Sequence, residues 1–358
     1  MSAASADKAG LLDGLRAALR AAKSPLAEAS LEPMADKGLA HHHVRIVGSG
    51  VIARLPKQSQ MGLAAQDNLD YQAACYRRAG ATGAAPTLFG LLPPGAALPR
   101  GGLLVQEIVG RAARLPDDLP AIARALAAIH AAPLPAPARR APLRDDRDPL
   151  LALWREIEQQ AVHLDAAGLA PAARARVETH RAALQRRCRA RARPQRRLIA
   201  FDAHPGNFMI RDDGTAVLVD LEKARYSYPP LDLAHATLYT STTWDLDVHA
   251  ELTLAQVLDT YAAWQAQVDD AAAAATWWVP LRAAMWLWSV TWCAKWRVLS
   301  PREVSGDTSD GEDWSHRHSE AALIAHVRDR VDCYLSAPVV ERIVEELAAL
   351  ERRWAPPT

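Results

Sequence analysis

The sequence is poor in the features that mark disulfide-rich, zinc-binding or nucleic-acid-binding proteins. It has four cysteines, and none of them forms a Cys-x-x-Cys pair with another. Reduced thiols are therefore favoured over a disulfide framework or a structural zinc site. The 42 lysines and arginines are nearly balanced by 41 aspartates and glutamates, so a net charge of +1 provides no general attraction to nucleic acid or to an anionic membrane. An arginine-rich run at 174–197 lacks interleaved aromatic residues and is predicted to be a solvated helix face, with a patch for polyanions as the alternative.

Long apolar runs without charges are also scarce. The segment 277–299 approaches the length of a membrane span, but it contains Arg282, Lys295 and Arg297. Because charges at membrane depth are costly, a buried amphipathic helix is the better interpretation, and no membrane partner is expected. The first residues include an acid and no long apolar stretch, so no signal peptide is predicted and the expected location is the cytoplasm. A membrane-associated protein that uses this tryptophan-rich segment is a rival interpretation.

The first hundred residues combine strand and helix patterns. Gly48-Ser49-Gly50 separates two β-prone runs and predicts a turn between paired strands. Apolar residues at helical spacing precede and follow this pair, and further β-prone runs come next. The predicted elements are a helix at 8–30, strands at 39–47 and 51–55, a helix at 66–79, a strand from 86, and a strand at 101–109. This order predicts an α+β lobe with an antiparallel sheet.

The rest of the chain has mainly helical patterns. Helices are predicted at 119–130 and 150–190, and further helices follow residue 230. A short β section at 198–221 interrupts them. The second lobe is therefore predicted to be helical with one small hairpin inserted.

The β section carries the most informative polar residues. Asp213-Gly214 between two β-prone runs is a strong signal for a two-residue hairpin turn. In that register Asn207 and Asp220 lie opposite each other, with Cβ atoms about 5 Å apart. An amide oxygen and a carboxylate at this spacing suit Mg²⁺, which takes oxygen ligands and is usually held by one or two protein groups plus phosphates.

Asp202 ends the strand that enters this section, shortly before Asn207. From there its carboxylate can face a substrate hydroxyl while the metal lies on the hairpin side. Phosphoryl transfer requires these parts: a positioned base, metal ligands and a phosphate clamp. The alternative is an ordinary hairpin whose Asp and Asn residues only cap turns.

Two segments, Asp202-Ala-His-Pro-Gly-Asn207 and Val219-Asp220-Leu-Glu222, resemble the signature of the aminoglycoside phosphotransferase and choline kinase family. The resemblance implies a bilobal protein-kinase-like fold and an ATP-dependent small-molecule kinase. It also implies that Asp202 is the catalytic base and that Asn207 and Asp220 bind Mg²⁺.

The resemblance extends loosely over about residues 35–300 and implies further roles. Gln106, Glu107 and Ile108 fall at the family's hinge, whose backbone would hold adenine. Arg54 lies at the position of the family's strand cation, which binds the nucleotide phosphates. The implied lobes are 1–105 with the leading helix and 111–358 with the catalytic loop and hairpin at 198–222, joined by a hinge at 106–110.

Two positions depart from the family pattern. Ala200 stands where the family usually has a histidine, two residues before the catalytic aspartate. Gln72 stands where a helix carboxylate normally pairs with the strand cation. Glutamine can hydrogen-bond Arg54 but cannot neutralise it, so the phosphate clamp is expected to be weaker or differently arranged. The nearest candidate for a glycine-rich phosphate loop is 34–38.

The acceptor is predicted from the aromatic and acidic residues. Trp288 and Trp292 lie at helical spacing and could form a wall for a quaternary ammonium group, although packing is the more usual role of such a stripe. Glu222 follows the metal aspartate closely, as a glutamate does in choline kinases, and Asp232 belongs to the family's next motif, where it is structural or shapes the acceptor site. These residues favour a cationic amino alcohol or an aminoglycoside-like acceptor. Acidic loops at 245–247 and 306–314 are further candidates to attract it.

Two alternatives remain open. His41 to His43 invite a zinc hypothesis, but no third ligand is apparent in the sequence, so a strand near the nucleotide is favoured. Ala200 and Gln72 also fit a pseudokinase, the same fold used as a nucleotide-dependent binding or regulatory module.

Overall fold

The chain forms two lobes in a computed structural model that describes residues 3–35, 40–269, 274–303 and 321–354. The smaller lobe is built on a five-stranded antiparallel sheet with the strand order β1-β2-β3-β5-β4. The larger lobe is mainly helical and contains two small sheets. The predicted α+β class and the division into a sheet-based lobe and a helical lobe are confirmed. The exact lobe boundaries stay a prediction, although β5 does end where the hinge is expected.

The small-lobe strands are β1 (Leu31–Pro33), β2 (His41–Ile46), β3 (Val51–Pro56), β4 (Leu88–Leu92) and β5 (Gly102–Gln106). Strands β2 and β3 pair around the predicted turn, where Gly48 and Gly50 have φ angles of 76° and 68°. Glycine adopts this left-handed region without the steric cost of a Cβ atom. The predicted strand pair is confirmed, and β3 lies at the centre of the sheet with Arg54 on it.

The helices, in chain order, are α1 (Ala3–Ala21), α2 (Ala65–Gly80), α3 (Leu119–His130), α4 (Pro149–Ala161), α5 (Pro171–Cys188), α6 (Pro229–Thr237), α7 (Tyr239–Thr242), α8 (Leu254–Gln265), α9 (Trp278–Glu303), α10 (Ala321–Tyr334) and α11 (Ala337–Arg353). Two predicted helices were too long. The first ends at Ala21 because Lys23 takes a left-handed φ of 51° and a proline follows. The helix predicted at 150–190 is divided into α4 and α5 by a turn in which Gly168 has a φ of 69°.

The predicted hairpin exists, but its register differs from the prediction by one position. Strands β8 (Phe208–Ile210) and β9 (Ala216–Leu218) pair with Phe208 opposite Leu218, so Val219 and not Asp220 comes opposite Asn207. The turn has three residues, with Gly214 in the left-handed region at φ 79°. Asp213 stabilises this turn by accepting hydrogen bonds from the backbone N–H and the hydroxyl of Thr215.

The remaining strands support the entry to this hairpin. Strand β7 (Arg197–Ile199) pairs antiparallel with β10 (Arg225–Ser227), and β6 (Arg111–Ala112) adds to the edge of β8. Neither β6 nor β10 was predicted, because runs of two and three residues carry no periodic signal. Together these pairings fix both ends of the catalytic segment.

Helix α9 contains the charged apolar segment that resembled a membrane span. Arg282 is fully buried, and its guanidinium donates to Glu346 at 2.7 Å and to the hydroxyl of Thr237 at 2.6 Å. Its charge therefore has hydrogen-bond partners inside the helical lobe. Trp277, Trp278, Trp286 and Trp296 are buried in the same core. Across the described ranges, we find no helix whose length and apolar character would allow it to cross a membrane.

Candidate active site

The backbone that presents Asp202 is held in a strained conformation. Phe201, directly before it, has a φ of 62°, which is unusual for a residue with a side chain. The carboxylate of Asp232 accepts hydrogen bonds from the backbone N–H groups of Ala200 and Phe201 at 2.7 and 2.8 Å. These bonds stabilise the strained turn and so determine where Asp202 points.

Asp232 is itself fixed by the helix that follows the hinge. His130 donates from Nε2 to Asp232 at 3.0 Å, and its Nδ1 accepts the indole N–H of Trp264 at 2.9 Å. Because an indole can only donate, Nδ1 carries no hydrogen and the tautomer is determined. Asp232 is completely buried beneath the turn. These contacts fit the structural role predicted for Asp232, and its predicted role in shaping the acceptor site stays a prediction.

The Asp202 carboxylate lies between a lysine and a histidine. Lys223 donates to its Oδ2 at 2.7 Å, and Nδ1 of His235 lies 3.7 Å from its Oδ1. Burial raises the pKa of Asp202, but Lys223, His204 and His235 outweigh burial and hold the pKa well below its usual range. Asp202 is therefore an ionised acceptor of hydrogen bonds at neutral pH, as a base requires.

Asn207 ends a short 3₁₀ turn, Pro205–Asn207, between β7 and β8. Its side-chain amide donates to the backbone oxygen of Asp202 at 2.9 Å. This bond uses the amide nitrogen and leaves Oδ1 as the atom that can bind a cation. The two predicted site residues are thus directly linked, although the predicted opposition of Asn207 and Asp220 across the hairpin is wrong by one position.

Asp220 lies at one of the contacts between the two lobes. Arg54 of β3 donates to Asp220 Oδ1 at 3.0 Å and to the backbone oxygen of Val219 at 3.1 Å. Burial raises the pKa of Asp220, while Arg54 and then His41 lower it more, so the carboxyl stays below its usual range. The buried Arg54 guanidinium therefore pairs with the predicted metal ligand itself.

Gln72 does not hydrogen-bond Arg54 as expected, because His41 lies between them. Gln72 Oε1 is 3.0 Å from His41 Nε2, and Arg54 Nη2 is 3.4 Å from His41 Nδ1. An amide oxygen accepts, so Nε2 carries the hydrogen and Nδ1 is free to accept from the guanidinium. Burial, and then Arg54, keep the pKa of His41 well below its ordinary value, which agrees with a neutral imidazole. The chain thus supports its strand cation with a neutral histidine and amide.

Glu222 lies on this nucleotide side of the site. Its carboxyl is buried and 3.8 Å from His41 Nδ1. Burial, and then the charge of Asp220, raise the pKa of Glu222 to about 8, so it is mostly protonated at neutral pH. Glu222 is therefore poorly suited to attract a cationic acceptor, a role that stays a prediction.

The sequence suggested His41 and His43 as a possible ligand pair without a third ligand. The structure instead brings ligand atoms of His41, Asp220 and Glu222 within 4.8 Å of one another. The guanidinium of Arg54 already contacts His41 Nδ1 and Asp220 Oδ1, however, so these two atoms are occupied. The group is better described as an arginine site than as a zinc site.

Two of the three hinge residues predicted to hold adenine have their backbone donors occupied. The N–H groups of Gln106 and Glu107 bond to the backbone oxygens of Thr87 and Gly50, both at 2.8 Å. The Glu107 carboxylate is also occupied, because it accepts from Arg45 at 2.6 Å. In the described part of the chain the N–H of Ile108 has no partner, which makes it the donor best placed for an adenine ring.

The two half-buried tryptophans of α9 differ from their buried neighbours. Trp288 donates its indole N–H to Glu156 at 3.1 Å, and its ring lies 5.9 Å from the Lys223 ammonium. Trp292 contacts Trp244 edge to face. Their predicted role at the acceptor stays a prediction. The candidate phosphate loop at 34–38 lies largely outside the described residues, and the acidic loop at 306–314 lies wholly outside them.

The residues present fit a magnesium nucleotide. The Nε–H of Arg54 is a buried donor without a partner in the described part of the chain, as expected where a phosphate oxygen is to be bound. Asp220 uses Oδ1 for Arg54 and for the backbone N–H of Glu222, so its other oxygen and Asn207 Oδ1 are suitable ligands for Mg²⁺.

Sequence reasoning missed two residues of this site, Lys223 and His235, and one contact, the support of Arg54 by His41. All three depend on contacts between separate segments of the chain. Lys223 had a usable signal, since it directly follows Glu222 in the recognised motif. His235 had only its position three residues after Asp232 on a short helix.

The two lobes contact each other where the buried Arg54 pairs with Asp220, a carboxylate suited to bind a metal ion. A second carboxylate, Asp202, follows the turn that Asp232 stabilises. This arrangement is typical of a protein-kinase-like phosphotransferase. A profile of the phosphotransferase enzyme family (APH) matches residues 44–267, more than half of the chain. The chain belongs to this family, and it is a small-molecule kinase by class. No curated protein matches the sequence.

Solved structures agree with the fold. A choline/ethanolamine kinase family protein from Mesorhizobium loti is 18% identical, with a TM-score of 0.56 over 96% of this chain and 99% of that one. A putative aminoglycoside phosphotransferase from Ralstonia eutropha is 13% identical, with a TM-score of 0.58 over 92% and 98%. The GDP complex of aminoglycoside 2'-phosphotransferase-IIIa is 15% identical, with a TM-score of 0.53 over 86% and 92%. The predicted protein-kinase-like fold is confirmed.

Proposed function

We propose that this protein transfers the γ-phosphoryl group of Mg-ATP to a hydroxyl group of a small molecule. The observation that carries the proposal is the contact of Arg54 with Asp220 at 3.0 Å, between residues 166 positions apart. It brings a phosphate-binding cation to a metal-type carboxylate in the cleft where Asp202 also lies. The cytoplasmic location stays a prediction.

In the proposed reaction the acceptor oxygen forms a bond to the γ-phosphorus, and the bond from that phosphorus to the β–γ bridging oxygen breaks. Its electron pair stays on the ADP oxygen, and Asp202 accepts the hydroxyl proton. Arg54 binds phosphate oxygens, and Asn207 and Asp220 would hold Mg²⁺. When bound, Mg²⁺ neutralises phosphate charge and orients the phosphates. The Ile108 N–H would bind the adenine.

Two features of the nucleotide and acceptor go beyond the family assignment. One relative was solved as a GDP complex, so GTP must be tested beside ATP. The names of the relatives mention choline, ethanolamine and aminoglycosides, which agrees with the predicted cationic amino alcohol or aminoglycoside-like acceptor. That acceptor stays a prediction.

The second candidate is a pseudokinase that binds nucleotide without transferring phosphate. The observation in its favour is that both cleft carboxylates are already paired, Asp202 with Lys223 and Asp220 with Arg54. A catalytic enzyme must admit an acceptor hydroxyl to the Asp202 carboxylate beside Lys223, whereas a binding module need not.

The test compares Asp202→Ala and Asp220→Ala with the wild type, using ATP and GTP over an acceptor panel and reading nucleoside diphosphate release. Asp220→Ala is expected to abolish Mg-dependent turnover, and Asp202→Ala to abolish transfer while Mg-nucleotide binding persists by calorimetry. The exposed Asp259 on α8, changed to alanine, is the matched control. Transfer at wild-type rates by both site variants would remove the mechanism, and nucleotide binding without any transfer would favour the pseudokinase.

A further inference from the structure

Lys223 brings a positive charge to the place where the acceptor hydroxyl must bind. Its ammonium group donates to Asp202 Oδ2 at 2.7 Å, and its side chain is 18% exposed. The side chain is therefore mostly withdrawn from water but not closed off from it. Under the proposed function this same carboxylate receives the acceptor proton, so the acceptor must carry its hydroxyl to within a few ångströms of the lysine.

The ring of Trp288, which was predicted to contact a cationic acceptor, already lies beside the ammonium group of Lys223. Lys223 Nζ lies 5.9 Å from the centre of the Trp288 ring. The indole N–H of Trp288 donates to Glu156, and the same carboxylate accepts from Arg225 at 3.0 Å. Glu156 is thus compensated by an arginine and does not remain to balance an incoming ammonium group.

The other nearby carboxylates do not cancel this charge at the reacting atom. Glu222 is buried on the nucleotide side, 3.8 Å from His41. Asp245 packs against Gly206 of the catalytic turn, and one of its oxygens accepts the backbone N–H groups of Asp247 and Val248. Asp202 balances the Lys223 charge only while it is ionised. When Asp202 accepts the hydroxyl proton, Lys223 is left as a positive charge beside the acceptor.

We propose that Lys223 determines acceptor specificity and that the acceptor carries an anionic group, a carboxylate or a phosphate, next to its reactive hydroxyl. The anion binds the Lys223 ammonium and brings the hydroxyl to Asp202, whereas an ammonium at that position is repelled. This inference rests on the proposed function and is opposite in sign to the cationic acceptor predicted from the sequence.

The experiment uses a series of acceptors that differ mainly in charge: glycerate and glycerol 3-phosphate as the carboxylate and phosphate anions, neutral glycerol, and cationic ethanolamine and choline. Values of kcat/KM are measured by ADP release for the wild type, Lys223→Met and Lys223→Arg. Lys23→Met, which removes an exposed lysine of the small lobe, is the matched control.

The wild type is expected to prefer at least one anion to glycerol and glycerol to both cations. Lys223→Met should lower the ratio of kcat/KM for that anion to kcat/KM for glycerol by about 10- to 150-fold, the range for loss of a hydrogen bond to a charged group. Both kcat/KM values should also fall together because Asp202 loses its Lys223 partner, so the ratio is the readout; the affinity for Mg-ATP should not change. Lys223→Arg should restore most of the preference, and Lys23→Met should behave as the wild type.

The outcomes separate the inference from the proposed function. Preferred transfer to ethanolamine or choline, or an unchanged anion preference in Lys223→Met, overturns the inference while phosphoryl transfer stands. A wild type that binds Mg-ATP but phosphorylates none of the series also overturns it and leaves nucleotide binding intact. If the wild type neither binds nucleotide nor transfers phosphate, the proposed function is wrong, and the inference that rests on it fails as well.

Discussion

Replacement of Asp232 by asparagine tests whether the buried carboxylate supports the catalytic turn. Asp232 accepts three hydrogen bonds: Oδ2 accepts from the Ala200 N–H and from His130, and Oδ1 accepts from the Phe201 N–H. An asparagine has one acceptor oxygen, so its NH₂ group must face at least one of these donors. In the orientation that keeps the Phe201 bond, two donors lose their acceptor.

The expected decrease in the free energy of unfolding follows from the number of hydrogen bonds that are lost. Hydrogen bonds to a charged group contribute about 1.5–3 kcal/mol each, and a buried donor left unpaired costs a similar amount. Because the amide can adopt its less damaging orientation, we expect Asp232→Asn to lower the free energy of unfolding by about 2–5 kcal/mol. That is a large part of the about 5–15 kcal/mol that stabilises typical proteins.

The assay is urea unfolding followed by circular dichroism. The matched control is Asp213→Asn, because Asp213 also accepts an N–H and a hydroxyl but lies exposed in a hairpin turn, where one amide oxygen can accept both. It should stay within about 0.5 kcal/mol of the wild type. The reasoning is refuted if Asp232→Asn unfolds at the same urea concentration as the control.

A second readout separates this role from general stability. Below the unfolding transition, Asp232→Asn should bind Mg-ATP as the wild type does, because Arg54 and Asp220 do not contact it. Phosphoryl transfer should fall about 100-fold, since relaxation at Phe201 moves the Asp202 carboxylate and misplacements of about 1 Å have effects of this size. Equal losses of binding and transfer would instead indicate a collapse of the whole site.

Three further substitutions test other contacts. Gln72→Leu leaves His41 Nε2–H without its acceptor, so the Kd for Mg-ATP should rise about 5- to 10-fold by calorimetry, and an unchanged Kd would contradict the support of Arg54 by His41. Ile108→Pro removes the free hinge N–H and should weaken ATP about 10-fold while inorganic triphosphate binds as before, whereas equal weakening of both would disprove the adenine contact. Gly110→Ala places a Cβ 2.3 Å from a backbone oxygen of β8, so it should cost about 1–3 kcal/mol in urea unfolding, and an unshifted midpoint would show that the backbone can yield.

The parts of the fold that were predicted correctly are those with strong local signals. Helices α2 and α3 differ from their predicted spans by at most one residue, because their apolar periodicity is unbroken. The hairpin was recognised from Asp213-Gly214, but the same two residues also fit a three-residue turn. A two-residue type I′ turn needs positive φ at both residues, whereas here Gly214 enters the left-handed region and Asp213 does not. A difference of one turn residue moved Val219 into the position expected for Asp220.

The parts of the site that were not predicted depend on contacts between distant segments. From the sequence, Gln72 was expected to weaken or rearrange the phosphate-binding site, because a glutamine cannot neutralise Arg54. The structure shows that the neutralising group is Asp220, from the other lobe, and that His41 fills the space between glutamine and arginine. No local pattern of residues 41, 54, 72 and 220 contains this information, since it arises only when the lobes pack.

The two cleft carboxylates illustrate why such partners must exist. An ionised carboxylate withdrawn from water is costly unless a cation or several donors compensate it. Asp202 has Lys223 at 2.7 Å and Asp220 has Arg54 at 3.0 Å, and in both cases the cation helps to lower a pKa that burial alone would raise. The cleft can therefore hold both charges before any ligand arrives. The sequence motif identifies the carboxylates, and this electrostatic requirement predicts that each needs a cation nearby, but only the packed structure shows that the cation of Asp202 is Lys223.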